Sequence, residues 1–282
     1  MNAIIPSQAN NDEHMIALWL HGRAERTQRV YTGDVRRFMV FVQRPLQHVT
    51  LGDLQGFADS LQHLAPNTQA RVLSTIKSLL TEAHRLGYIP FNPGAALRLK
   101  GVKNTLGERL VSEEQVQRLL ALETNRRNHA IIRLLYAAGL RCSELCELTW
   151  NDIQPSNEEA VLQVFGKGNK TRYVRISAAT YNELRTLGGM SPEPSAPVFT
   201  SRKGGSLDAS QVFRIVKTAA KRAGLPATMS PHWLRHAHAS HALDRGAPIS
   251  LVQTTLGHAS VQTTGKYLHA RPSESSSRFL PV

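Results

Sequence analysis

The chain has 282 residues, 41% of them hydrophobic, enough to bury a core in one large domain or two ordinary ones. Lysine and arginine number 34 against 21 acidic residues, a formal net charge of +13, which points to a polyanionic partner, nucleic acid before an anionic membrane. No uninterrupted apolar stretch approaches the roughly 18–20 residues of a spanning helix, and Met1–Asn11 lacks the basic and apolar regions of a secretory signal. The two cysteines, Cys142 and Cys146, are too few for a disulfide framework and read as reduced thiols sharing a helix face. The protein is expected in the cytoplasm, at the nucleoid.

Residues 1–100 read as helices only. Thr27–Gln43 places Tyr31, Val35, Phe38 and Val42 on one stripe, with Arg36, Arg37 and Arg44 elsewhere on its surface. Thr50 and Asp53 predict a capping box for a helix whose apolar face is Leu51, Leu54, Phe57 and Leu61. A longer helix follows Pro66, carries Val72, Ile76, Leu79, Ala83 and Leu86, and stops at Gly87. Pro90 and Pro93 then break the chain. The stretch Leu97–Arg109 is basic, contains Gly101 and Gly107 and lacks an apolar period, which places an interdomain linker at 101–109.

In the second domain, 110–270, Ser112 and Gln115 form another capping box, opening a helix through Val116, Leu119 and Leu120. An apolar helix at Ile131–Ala138 ends at Gly139. Val161–Phe165 and Tyr173–Ile176 read as strands around a glycine-rich hairpin loop, Gly166-Lys167-Gly168-Asn169. After a Pro/Ser loop at Ser191–Pro197, helices are predicted at Ser210–Ala223, Pro231–Asp244, Ile249–Leu256 and from about Ser260. The fold class is mainly α with a small β-sheet: a small helical domain, a linker, a larger α+β domain, and a tail at 271–282.

Six polar residues of the second domain carry the functional reading: Arg141, Lys167, His232, Arg235, His258 and Tyr267. Each alone has an ordinary explanation, such as an ion pair between Arg141 and Glu144 or a half-buried core tyrosine at 267. Together with their neighbours they form an ordered series. The runs are Ala138-Gly139-Leu140-Arg141-Cys142-Ser143-Glu144-Leu145, Gly166-Lys167-Gly168-Asn169-Lys170-Thr171-Arg172, Pro231-His232-Trp233-Leu234-Arg235-His236, Leu256-Gly257-His258 and Thr263-Thr264-Gly265-Lys266-Tyr267. In order and spacing this series resembles the catalytic domain of the tyrosine recombinases, the phage-integrase family, and most of all its simple Xer-like branch.

The resemblance implies a site-specific DNA recombinase that cuts through a covalent 3′-phosphotyrosyl intermediate and exchanges strands by way of a Holliday junction. Tyr267 would be the nucleophile, Arg141 and Arg235 the clamp on the phosphate, and Lys167 the proton donor to the departing 5′-oxygen, with Lys170 as the alternative. His232 would assist proton transfer, His258 would hydrogen-bond the phosphate, and Glu144 would orient its basic neighbours. The chemistry needs these residue types: planar, permanently charged guanidiniums match a phosphate whose negative charge grows in the transition state. A phosphotyrosine bond conserves the energy of the broken phosphodiester, so neither metal nor cofactor is expected. Two alternatives share the scaffold: a type IB topoisomerase-like relaxing enzyme and a catalytically silent DNA-binding protein.

His232, His236, His238 and His241 crowd one helix, and His232 and His236 have the spacing of zinc ligands, but Trp233 stands where zinc hydrolases carry glutamate. These histidines are instead expected in a packed basic neighbourhood behind the site. By the same resemblance, residues 1–100 are a SAM-like core-binding domain that closes a C-shaped clamp on DNA. Its arginines, including Arg23, Arg26, Arg29, Arg36, Arg37, Arg71 and Arg85, suit phosphate contact, as do Lys170 and Arg172 in the second domain. The expected partners are a double-stranded recombination site and three further protomers in a tetramer on two duplexes, identical or from a second recombinase, with accessory proteins possible. The tail, with Phe279, Leu280 and Val282, is a candidate for exchange between protomers. Met1–Glu13 is too short for a separate arm-binding domain, and Gly265 is expected to loosen the nucleophile segment until the complex assembles.

Overall fold

A computed structural model describes residues 7–99, 101, 109–166, 170–189, 192–201, 203–258, 260–265 and 267. The chain separates into two compact units, Met1–Lys103 and Asn104–Val282. No helix among the described residues is long and apolar enough to cross a membrane.

The first unit contains α1 (Asp12–Leu20), α2 (Glu25–Val42), α3 (Leu51–Ser60), α4 (Pro66–Arg85) and the short α5 (Pro93–Ala96). Thr50 and Asp53 make the expected reciprocal capping box at the start of α3. Pro66 opens α4, where its missing N–H loses nothing. Met15, Trp19, Phe38, Leu54, Phe57, Ile76 and Leu79 form the buried core. Arg23 stacks over Trp19 and Tyr31 with its guanidinium 5.0 and 5.3 Å from the ring centres. Arg36 and Arg37 stand exposed on α2. Arg71, expected to contact DNA, is bound to the buried carboxylate of Asp34, which also accepts a hydrogen bond from Thr75 at 3.2 Å. A carboxylate enclosed in a helical core needs a cation beside it, so Arg71 serves the fold first.

The second unit opens with α6 (Glu113–Ala121), α7 (Arg126–Ala137) and α8 (Cys142–Glu147). A three-stranded antiparallel sheet follows in the order β1 (Ile153–Ser156), β2 (Glu159–Gly166), β3 (Lys170–Ile176). The chain continues through α9 (Ala178–Gly188), α10 (Ala209–Arg222), α11 (Pro231–Asp244), α12 (Ile249–Leu256) and α13 (Val261–Gly265). Ala160, Leu162, Val164, Val174 and Ile176 turn one sheet face into a core shared with Leu134, Leu135, Val212, Val216 and Leu234. Ser112 and Gln115 cap α6 as expected. The strands run longer than the apolar pattern indicated, and β1 and α9 carried no clear sequence signal: β1 has four residues, one of them Pro155 at the sheet edge. Cys142 and Cys146 are free thiols, the second buried.

Candidate active site

The site begins at a turn that only glycine can make. Gly139 joins α7 to α8 with φ +58°, and a Cβ there would lie 2.7 Å from Leu256 Cδ2 and 2.9 Å from His238 Cδ2. Two residues on, Arg141 begins α8. Its backbone N–H donates to Glu144 Oε2 (2.8 Å) and its Nη1 to Glu144 Oε1 (2.7 Å). From β3, Arg172 grips the same carboxylate with both terminal nitrogens, at 2.8 and 2.7 Å. Burial alone would raise the Glu144 carboxyl, but the hydrogen bonds from Arg172 and Arg141 prevail and hold it at about 2. Glu144 is therefore a fixed anion between two guanidiniums.

The carboxyl end of α12 organises the arginines further. Three successive carbonyls there accept from three different side chains: Thr255 O from Arg172 Nε (2.7 Å), Leu256 O from Arg235 Nη2 (2.6 Å) and Gly257 O from Arg141 Nη2 (3.3 Å). These are carbonyls that a helix leaves without intrahelical partners, and they carry the negative end of its dipole. Gly257, with φ +63°, ends the helix, and a Cβ there would press on Arg172 Cδ at 3.1 Å. Arg235 is 1% exposed and also donates Nη1 to Gly139 O at 2.5 Å. Burial and the neighbouring Arg141 pull it down to about 10, so it stays charged at neutral pH.

Aromatic groups close one side. The Tyr267 hydroxyl lies 2.7 Å from His236 Nδ1, and its ring stacks near that of His258, with centroids 6.4 Å apart. His258 Nδ1 is 2.9 Å from Thr264 Oγ1. The rings of His232 and His236, one helical turn apart on α11, meet edge to face at 4.3 Å. Tyr267 is 6% exposed, and burial raises its hydroxyl while Arg235 works in the opposite direction. Burial lowers His236 to about 3 and His258 to about 4, with the surrounding cations adding to both, so both rings are neutral at pH 7. A cavity of about 520 Å³ opens beside Arg141, Lys170, Gly257 and His258.

The structure thus gathers Arg141, Glu144, His232, Arg235, His258 and Tyr267 around the carboxyl end of α12 and the start of α11. Lys167 lies outside the described residues, but the strand ends that carry its loop, Gly166 and Lys170, pair directly. Arg172 is a correction: expected at the DNA surface, it is 8% exposed and spends its donors on Glu144 and Thr255. Its pleat position, alternating inward with Val174 and Ile176, was the available signal. His236 is a second correction, standing against the Tyr267 hydroxyl rather than behind the site. Among the described residues no group of three or more His, Cys, Asp or Glu is arranged to hold a metal ion. His238 and His241 engage the carbonyl and hydroxyl of Tyr136 at 2.8 and 2.9 Å.

Comparison with known proteins then decides the family. Residues 109–274 match the Phage integrase family, and residues 12–86 match its N-terminal SAM-like domain. The chain belongs to the phage integrase family, the tyrosine recombinases. A tyrosine recombinase XerC of Thermodesulfovibrio yellowstonii is 32% identical over 263 residues, covering 88% of this chain and 87% of its own. The fold is that of a lambda integrase(75-356) dimer bound to a COC' core site, with TM-score 0.76, 19% identity, and 94% and 95% of the two chains covered. A lambda integrase tetramer bound to a Holliday junction gives TM-score 0.75 at 17% identity over 95% of this chain and 80% of that one. The protein is a site-specific recombinase of the tyrosine type.

Proposed function

We propose that this chain cleaves and rejoins DNA at a specific site through a 3′-phosphotyrosyl bond to Tyr267. The observation that carries the reading is a tyrosine hydroxyl held by His236 in the field of Arg235, while the guanidiniums of Arg235 and Arg141 are already anchored by neighbouring carbonyls at the end of α12. Guanidiniums fixed before substrate arrives lose little freedom on binding and stabilise the charge that develops on the phosphoryl oxygens. In the proposed reaction Tyr267 Oη bonds to phosphorus and the P–O5′ bond breaks. The departing 5′-oxygen takes a proton from Lys167, with Lys170, on the cavity wall, as the alternative donor. His232 assists proton transfer, His258 hydrogen-bonds the phosphate, and Glu144 with Arg172 holds Arg141 in place.

In this reading residues 110–270 carry the chemistry, 101–109 link the domains, and 1–100 add affinity for the DNA backbone through exposed arginines such as Arg36 and Arg37. Strand exchange involves four protomers on two duplexes, of this chain alone or together with a second recombinase, and segment 271–282 passes between neighbours. The work takes place in the cytoplasm, on nucleoid DNA.

The test incubates purified protein with a plasmid DNA library in EDTA, denatures it, and sequences the covalently attached DNA, with Tyr267→Phe in parallel. Attachment at recurring sequences by the wild type alone is expected. Attachment scattered over arbitrary sequence would replace recombination by topoisomerase-like relaxation, and attachment by Tyr267→Phe would remove the nucleophile from the reading.

A further inference from the structure

The attacking hydroxyl must lose a proton, and the groups that surround it differ in what they can do. A phenol keeps its proton at neutral pH, and burial pushes Tyr267 further in that direction, so a nearby acceptor is required. His258 lies alongside the ring and turns its Nδ1 to Thr264, while His232 meets the edge of the His236 ring. His236 alone is described with a ring nitrogen on the hydroxyl, at 2.7 Å, with the two rings inclined by 50°. Its place on α11, directly after Arg235, ties it to the helix that also anchors the phosphate clamp.

We infer that His236 is the proton acceptor of the nucleophile, aiming the Tyr267 hydroxyl and taking its proton as the phosphodiester is attacked. The inference rests on the assignment of Tyr267 as nucleophile. The O–H bond pair becomes the phenolate's, the proton goes to His236 Nδ1, and the Tyr267 Oη–P bond forms. The P–O5′ electron pair leaves with the 5′-oxygen. On rejoining, the 5′-hydroxyl attacks, the phenolate departs, and His236 returns the proton. The groups facing His236 hold its ring neutral in the free protein. His232 and Arg235 on α11, Arg109 from the segment before α6, and His258 after α12 add to burial in suppressing the imidazolium form. A phosphate anion seated between Arg141 and Arg235 offsets the charge of the arginines in that group, so His236 gains basicity when substrate is in place.

The test compares wild type, His236→Ala and His236→Asn in time courses of covalent attachment to the plasmid DNA library, between about pH 6.5 and 9, with DNA binding measured separately. Asparagine places an acceptor near the Nδ1 position but takes no proton. Both variants are expected to bind DNA and to attach roughly 10²-fold more slowly at neutral pH. Their rates should rise about tenfold per pH unit as hydroxide replaces the missing acceptor, while the wild-type rate changes less. Wild-type rate in His236→Asn would reduce His236 to a positioning contact. Wild-type rate in His236→Ala, or parallel pH profiles, would overturn the inference while leaving Tyr267 as nucleophile; absence of attachment by the wild type would overturn both. A DNA-free check covers the case of misfolded variants. Nitrogen-15 spectra of wild type and Tyr267→Phe should show His236 with Nδ1 unprotonated and shifted on loss of the hydroxyl, and a proton on Nδ1 would contradict the assignment.

Discussion

Replacing Glu144 by Gln removes one negative charge from between Arg141 and Arg172 and leaves the shape nearly unchanged. Arg172 is 8% exposed, so its guanidinium would remain buried with only Thr255 O and one amide oxygen to face. Breaking a buried pair in this way costs about 3–5 kcal/mol. Proton linkage gives an independent figure: lowering the carboxyl from 4.5 to about 2 corresponds to about 3 kcal/mol of stability above pH 5. Because the folded value lies below the unfolded one, this contribution is complete above the unfolded pKa and fades as pH falls towards the folded value. For a unit of this size, thermal unfolding at pH 7 should move down by roughly 6–20 °C. The gap between variant and wild type should narrow between about pH 5 and 3. Adding Arg172→Met to Glu144→Gln should restore part of the loss, because it removes the stranded charge. A shift under about 2 °C at pH 7, or a gap independent of pH, would refute the description of Glu144 as the fixed anion of the site.

Gly139→Ala meets Leu256 and His238 at a positive φ and should destabilise by about 2–4 kcal/mol; unchanged thermal unfolding would contradict the close approach of α7, α11 and α12. Gly265→Ala has open space for its Cβ and should slow amide exchange across α13 by stabilising the helix by about 1 kcal/mol; unchanged exchange would remove glycine as a cause of local opening. Arg172→Met should lower the attachment rate while leaving the salt dependence of DNA binding intact, whereas Arg36→Gln with Arg37→Gln should flatten that dependence by about two in log–log slope. The opposite pattern would return Arg172 to the DNA surface.

Much of the catalytic unit was legible because its chemistry lies in short local runs. Gly139 and Arg141 share a turn, His232 and Arg235 share a helix face, and α11 and α12 have the predicted bounds because Pro231 and Gly257 mark their ends. What could not be read depends on contacts between distant segments. No spacing announces that Arg141, Arg172 and Arg235, from three elements, converge on three consecutive carbonyls at the end of α12. His236 was misplaced for a different reason: with zinc set aside, its spacing from His232 indicated only a packed neighbourhood behind the site, and no local pattern shows that the same geometry carries its ring to the tyrosine. Arg71 shows the limit of reading charge as surface, since the buried acid it answers, Asp34, lies on another helix.

The bond between Tyr267 and DNA can be tested directly. Protein covalently attached to DNA would be digested with nuclease and trypsin, and the nucleotide-bearing peptide sequenced by mass spectrometry. A 3′-nucleotide is expected on the tyrosine of the peptide that begins at Tyr267, after cleavage at Lys266. A nucleotide on any other residue, or cut DNA with no nucleotide on protein, would contradict it.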